Sequence, residues 1–75
     1  MLGAPLRVAI LGFGTVGASV ARILVERPEL AAHVQLTHVF NRDVSRKRAD
    51  WVPSSVVWTE NFDEVLATRP DVVVE

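Results

Sequence analysis

The stretch Gly12-Phe13-Gly14-Thr15-Val16-Gly17 constrains this chain more than any other. It follows an apolar run, Leu6-Arg7-Val8-Ala9-Ile10-Leu11, that reads as a short buried strand, and it leads into a helical pattern. Three glycines at G-x-G-x-x-G spacing between a strand and a helix each have a separate physical task. The first lets the chain leave the strand in a bend that a Cβ would obstruct. The second removes bulk where a backbone must approach a pyrophosphate, and the third lets helix and strand pack closely. Unpaired N–H groups in the helix's first turn, at its positive dipole end, favour phosphate charge. Backbone N–H groups around Thr15 and Val16 are the expected holders, with Phe13 at the exposed tip as a lid over the turn. A turn whose glycines serve packing alone has the same spacing, so the rest of the chain must supply the context.

After the turn, Thr15 to Arg27 reads as an amphipathic helix with Val16, Val20, Ile23 and Leu24 on its apolar face and small residues (Gly17, Ala18, Ala21) where it nears the sheet. Pro28 ends the pattern, and Glu29 to His33 is expected to add one turn. Val34 to Phe40 is a second strand, in which Val34, Leu36, His38 and Phe40 alternate with Gln35, Thr37 and Val39. Asp43 is an expected N-cap for a short charged turn over Val44 to Asp50, and Trp51 anchors the connector that follows. Val56 to Trp58 is a short third strand. Asn61 and Glu64 have the spacing of a capping box before a helix over Phe62 to Thr68, with Phe62, Val65 and Leu66 as its stripe. Arg69, before Pro70, is expected to be extended. Asp71-Val72-Val73-Val74-Glu75 then reads as a central parallel strand.

The order β-α-β-(short α)-β-α-β, with short connections, implies parallel strands. It corresponds to the first half of a Rossmann-type doubly wound α/β fold with strand order 3-2-1-4. Seventy-five residues make one small domain at most. A buried last strand needs neighbours on both edges, so residues 1–75 are expected to be the N-terminal part of a dinucleotide-binding domain within a longer protein.

The end of the second strand bears on which dinucleotide. An NAD-selective site has an Asp or Glu there, accepting hydrogen bonds from the ribose hydroxyls. This chain has Asn41 followed by Arg42. No carboxylate at that place repels a 2′-phosphate, and Arg42, helped by Lys47 or Arg46, is placed to pair with one. NADP is therefore the expected cofactor, with NAD as the alternative. Two competing readings stand beside this: a slip of two residues makes Asp43 the ribose ligand, and the Arg46-Lys47-Arg48 triplet is ordinary solvated loop.

Other chemistries find little support. Net charge is −1, with basic residues dispersed outside that triplet, which argues against nucleic-acid or membrane electrostatics. No apolar run approaches the roughly 20 residues that span a bilayer. There is no cysteine, hence no disulfide framework and no thiolate metal site, which fits a cytoplasmic setting. The residues ahead of the first strand read as a short disordered lead, not a signal peptide. His33 and His38 have no metal-ligand spacing to a partner and are read as structural. Asp63-Glu64 are helix-start charges. Glu75 falls beside the expected ligand crevice, with no role assigned.

Taken together, Val8 to Gly17, Asn41-Arg42-Asp43, Trp58-Thr59-Glu60-Asn61 and Asp71 to Glu75 resemble homoserine dehydrogenase, over nearly the whole chain and in order. That family reduces aspartate semialdehyde to homoserine with NAD(P)H, on the route to threonine, methionine and isoleucine. The resemblance implies cofactor contacts at Gly12, Phe13, Gly14, Thr15, Val16 and Gly17, with Arg42 and Lys47 toward a 2′-phosphate. It also implies that the catalytic lysine and substrate-binding acids lie in a later domain, and that the parent forms homo-oligomers through regions outside these residues. These 75 residues are then not expected to turn over substrate alone. Two other readings compete: the cofactor domain of a related amino-acid dehydrogenase such as an aspartate dehydrogenase, and a non-catalytic NAD(P)-sensing module.

Overall fold

The computed structural model describes residues 5–30 and 32–75, and the Arg46 side chain is not among the described groups. The expected lead falls mostly outside these residues, as does Ala31 in the expected extra turn. The elements run β1 (Leu6–Leu11), α1 (Thr15–Glu26), a 3₁₀ turn (Pro28–Leu30), β2 (Val34–Phe40), α2 (Val44–Lys47), β3 (Val57–Thr59), α3 (Phe62–Ala67) and β4 (Val72–Val74). All pairings are parallel and the sheet order is β3-β2-β1-β4, the 3-2-1-4 order expected of the Rossmann-type half-fold.

The centre of the sheet is β1, whose Val8, Ala9 and Ile10 are consecutive buried residues. Burial on both faces is what makes an uninterrupted apolar run rather than an alternating one. The main core gathers Ile10, Phe13, Ala21, Leu36, Val39, Val52 and Val56, and Trp51 and Trp58 pack against it.

Several local expectations need correction. Helix α1 buries Gly17 and Ala21, while Val16 is 65% and Ile23 50% exposed. The small residues lie near the sheet as expected, and Val20 and Leu24 of the expected stripe pack part-buried against the core; Val16 and Ile23 are the two that do not. In β2 the alternation breaks: Val8 pairs with Leu36 but Ala9 pairs with His38, so Thr37 is an extra residue in the ladder. Leu36 and Val39, three apart, are thereby both buried. The Thr37 hydroxyl donates to the Val8 carbonyl at 3.2 Å, which ties the bulge down.

Strand β3 begins one residue later than expected, leaving Val56 buried in the preceding turn. Helix α3 buries Val65 fully but leaves Phe62 40% and Leu66 51% exposed. Arg69 is not extended. It has φ +52, in the left-handed region, and its N–H donates to the Leu66 carbonyl at 3.0 Å, closing the end of α3. Strand β4 has β1 as its sheet neighbour and, within these four strands, stands at an edge with Val72 and Val73 exposed. A reciprocal pair of bonds, Arg7 N–H to Asp71 Oδ2 and Asp71 N–H to the Arg7 carbonyl, fixes where β4 starts.

Candidate dinucleotide site

The site starts where β1 ends. Gly12 has φ +92, a backbone conformation that L side chains rarely adopt, and its N–H donates to the Phe40 carbonyl at 2.7 Å. The turn therefore leaves the sheet only after one further bond to β2. A Cβ on Gly17 would lie 2.2 Å from the Gly12 carbonyl oxygen and 3.1 Å from the Ile10 side chain. Helix α1 can return against β1 only because that atom is absent. Gly14 differs: a Cβ there would meet nothing within 4 Å. Its freedom from a side chain leaves open space beside the helix start and relieves no internal crowding.

Gly14 is the N-cap of α1 and supplies no side-chain cap, and the first turn carries no acidic residue. The first ladder bond runs from Ala18 N–H to the Gly14 carbonyl at 2.9 Å, so the amides of Thr15, Val16 and Gly17 precede the helix ladder. Thr15 and Val16 are exposed. Amides, dipole and open space thus coincide, with no acidic residue in that first turn.

Phe13 is not a lid. It is 6% exposed, with its ring 4.8 Å from Trp58 in an edge-on contact and 5.9 Å from Trp51. Burying an aromatic ring among two others outweighs displaying it over a glycine turn. The tip residue is an anchor that roots the turn in the core. Trp51 holds the connector as expected, and the Arg22 guanidinium from α1 lies over its ring at 4.3 Å.

Asn41 sits beside the turn rather than out in the loop. Its Oδ1 accepts from Phe13 N–H at 3.0 Å, its Nδ2 donates to the Asp43 carbonyl at 3.2 Å, and its own N–H donates to the Thr59 carbonyl at 3.1 Å. Nothing in the sequence alone showed that both ends of this side chain are used by the protein.

A crevice of about 390 Å³ opens at the carboxyl ends of β1, β2 and β4, lined by Leu11, Gly12, Phe40, Asn41, Arg42 and Glu75. That volume suits one portion of a dinucleotide rather than the whole molecule. The structure brings Gly12, Asn41 and Arg42 to this one place. Lys47 is exposed on α2 and is not among the lining residues, so its help to Arg42 is not seen in this arrangement. Among the described residues, Arg42 and Lys47 make no side-chain hydrogen bond or ion pair.

The corner after β3 completes the surroundings. Asn61 caps α3 by accepting from Asp63 N–H at 2.9 Å. Glu64 does not close a capping box back onto Asn61; it accepts from the Thr59 hydroxyl, whose oxygen in turn accepts from Asn61 N–H at 2.9 Å. His38, on β2, has its pKa lowered by burial and then by the Arg7 charge, with Glu64 opposing. Among the described residues no group of three His, Cys, Asp or Glu could hold a metal ion, and no helix is long and apolar enough to cross a membrane.

Comparison with known proteins decides the family. The model of the homoserine dehydrogenase NAD-binding domain matches residues 12–75. The chain belongs to this family. It is also 33% identical to a homoserine dehydrogenase of Bacillus subtilis (strain 168), over an alignment taking in 93% of the chain. The chain spans 17% of that relative's length. No solved structure matches it. For a homoserine dehydrogenase NAD-binding domain the ligand class is a nicotinamide dinucleotide, and the residues present suit one: a side-chain-free cradle at Gly14, unpaired first-turn amides and an adjoining crevice.

Proposed function

We propose that this chain is the pyrophosphate- and adenosine-gripping part of an NADP-preferring homoserine dehydrogenase, whose whole protein reduces aspartate semialdehyde to homoserine. The observation that carries the reading is the contrast between two glycines. Gly17 is required by internal packing, whereas Gly14 faces open space at a helix start, where only a ligand gives the missing side chain a purpose. Membership of the family supplies the reaction class.

In this reading Gly12 and Gly17 set the turn's shape, and the amides of Thr15 and Val16 receive pyrophosphate oxygens at the dipole end of α1. Arg42 pairs with a 2′-phosphate by charge-assisted bonds. When bound, the cofactor supplies the hydride. This chain's residues bind and orient it, and none is assigned a proton transfer. Fixing the dinucleotide's phosphates restricts where the nicotinamide lies, which is the protein's part in such transfers.

The test uses the intact protein, titrated with NADPH and NADH and then assayed for NADPH oxidation in the presence of aspartate semialdehyde. Tighter binding of NADPH and aldehyde-dependent oxidation are expected. Failure to bind either dinucleotide would overturn the site. Preference for NADH would overturn the cofactor choice alone, and cofactor binding without turnover of this aldehyde would overturn the substrate.

A further inference from the structure

The loop bearing Arg42 is fastened from outside its own β-α unit. Register pairing sets Phe40 of β2 beside Thr59 of β3, so the corner Thr59-Glu60 lies against the loop that leaves β2. From that corner the Thr59 carbonyl accepts from Asn41 N–H at 3.1 Å, and Glu60 Oε2 accepts from Val44 N–H at 2.8 Å. The two bonds bracket Arg42 and Asp43. Within the loop, Asn41 Nδ2 donates to the Asp43 carbonyl, and the Ser45 hydroxyl donates to Asp43 Oδ1 at 2.8 Å. The corner is itself held by the Thr59 hydroxyl, bonded to Glu64 of α3 and to Asn61 N–H.

Every fixed point of the loop is thus a backbone group or a residue other than Arg42, whose side chain is left to line the crevice. Val44 opens the four-residue helix α2, so its N–H has no partner within the helix, and Glu60 supplies one. We propose that Glu60 is a positioning residue for cofactor choice: with the Thr59 carbonyl it clamps the Asn41–Val44 loop so that Arg42 meets a 2′-phosphate in a pre-set geometry. The proposal rests on the reading of Arg42 given above. A loop already ordered loses less freedom on binding, and the gain falls only on ligands that use Arg42.

A carboxylate near a phosphate site should oppose phosphate binding by charge, while a clamp should promote it by order. Glu60→Gln removes the charge and keeps an acceptor oxygen; Glu60→Ala removes both. The probes are adenosine 2′,5′-bisphosphate and AMP, which differ in the 2′-phosphate, titrated into the intact protein. With Glu60→Ala the bisphosphate should bind about three- to tenfold more weakly while AMP changes less than about twofold. With Glu60→Gln the bisphosphate should bind as in the parent protein or more tightly. Hydrogen exchange at the Val44 amide should quicken in the alanine variant and not in the glutamine variant.

Equal strengthening in both variants would make Glu60 a mere repelling charge and overturn the clamp. So would an alanine variant that keeps the preference for the bisphosphate, or one that loses both probes alike. An unsubstituted protein that binds the two probes equally would overturn the Arg42 reading itself, and the clamp with it. The first measurement therefore separates the two failures.

Discussion

The backbone N–H of Phe13 donates to Asn41 Oδ1 across 3.0 Å, joining the glycine turn to the end of β2. The same side chain donates through Nδ2 to the Asp43 carbonyl at 3.2 Å, so the amide bridges the two segments expected to meet a cofactor. A carboxylate can reproduce the first bond but not the second, since it has no donor and would set an oxygen against a carbonyl. Asn41→Asp should therefore loosen the Arg42 loop and add the charge that a 2′-phosphate meets worst. NADPH affinity should fall by at least about tenfold, with NADH affected less. Parallel titrations of the intact protein decide it, and an unchanged ratio of the two affinities would contradict the bridge's part in cofactor choice.

The three glycines of the turn should separate when each is replaced by alanine. At Gly17 the new Cβ would sit 2.2 Å from a backbone carbonyl oxygen, which has no flexible end to move aside. Gly17→Ala should cost about 3 kcal/mol or more, visible as a large drop in melting temperature. Gly14→Ala meets nothing within 4 Å, so its melting temperature should stay near that of the parent protein while dinucleotide binding weakens by at least about tenfold. Gly12→Ala, at φ +92, should cost about 1–2 kcal/mol of backbone strain. A Gly14→Ala protein that binds NADPH normally would remove the reason for that glycine.

Arg42 lines the crevice with a side chain that makes no bond to the described residues. Truncating it should leave the fold alone and remove a contact available only to the phosphorylated cofactor. Arg42→Ala is expected to weaken NADPH by about 1.5–3 kcal/mol, with NADH within about 0.5 kcal/mol of the parent protein. Calorimetric titration with each cofactor measures both. Equal losses would assign Arg42 to something the two cofactors share.

What the sequence made legible was the part governed by local rules. The glycine spacing, the proline and Asn61 boundaries and the apolar runs placed every strand and helix to within a few residues, and with them the 3-2-1-4 order. What escaped was set by partners distant in the chain. Phe13 read as an exposed tip because its neighbours in sequence are glycines; its burial is decided by Trp51 and Trp58, far later in the chain. The bulge at Thr37 gave no sequence sign, because alternation in β2 predicts side-chain faces only if the ladder with β1 is regular. Val16 and Ile23 matched a helical stripe, but the close approach permitted by Gly17 turned the Gly17–Ala21 edge of α1 to the sheet instead. Glu60 offered no signal at all, since its bond to Val44 exists only once β2 and β3 are in register. Asn41 was legible as a missing acid, but the presence of two bonds through its amide was not.

His38 gives the fold a pH dependence of definite sign. Its pKa is lowered from 6.5 by burial first and by the Arg7 guanidinium second, with the Glu64 carboxylate on α3 pulling the other way. Its Nδ1 lies 3.0 Å from the Thr37 hydroxyl at the bulge; that hydroxyl gives its hydrogen to the Val8 carbonyl, so Nδ1–H is the donor and Nε2 is the nitrogen that titrates. In the unfolded chain the imidazole takes its proton near the ordinary value, whereas in the folded chain it does so only at lower pH. Between those two values the unfolded state binds more protons, so stability rises with pH across that window. The contribution is complete above 6.5 and is lost as pH falls through the folded-state value. Unfolding midpoints of the intact protein taken between about pH 7.5 and 5 should therefore decline, and His38→Gln should flatten part of that decline. Replacing Glu64 by Gln removes the opposing charge and should depress the His38 value further, extending the window to lower pH. A His38→Gln protein with an unaltered slope would place the acid sensitivity in other groups.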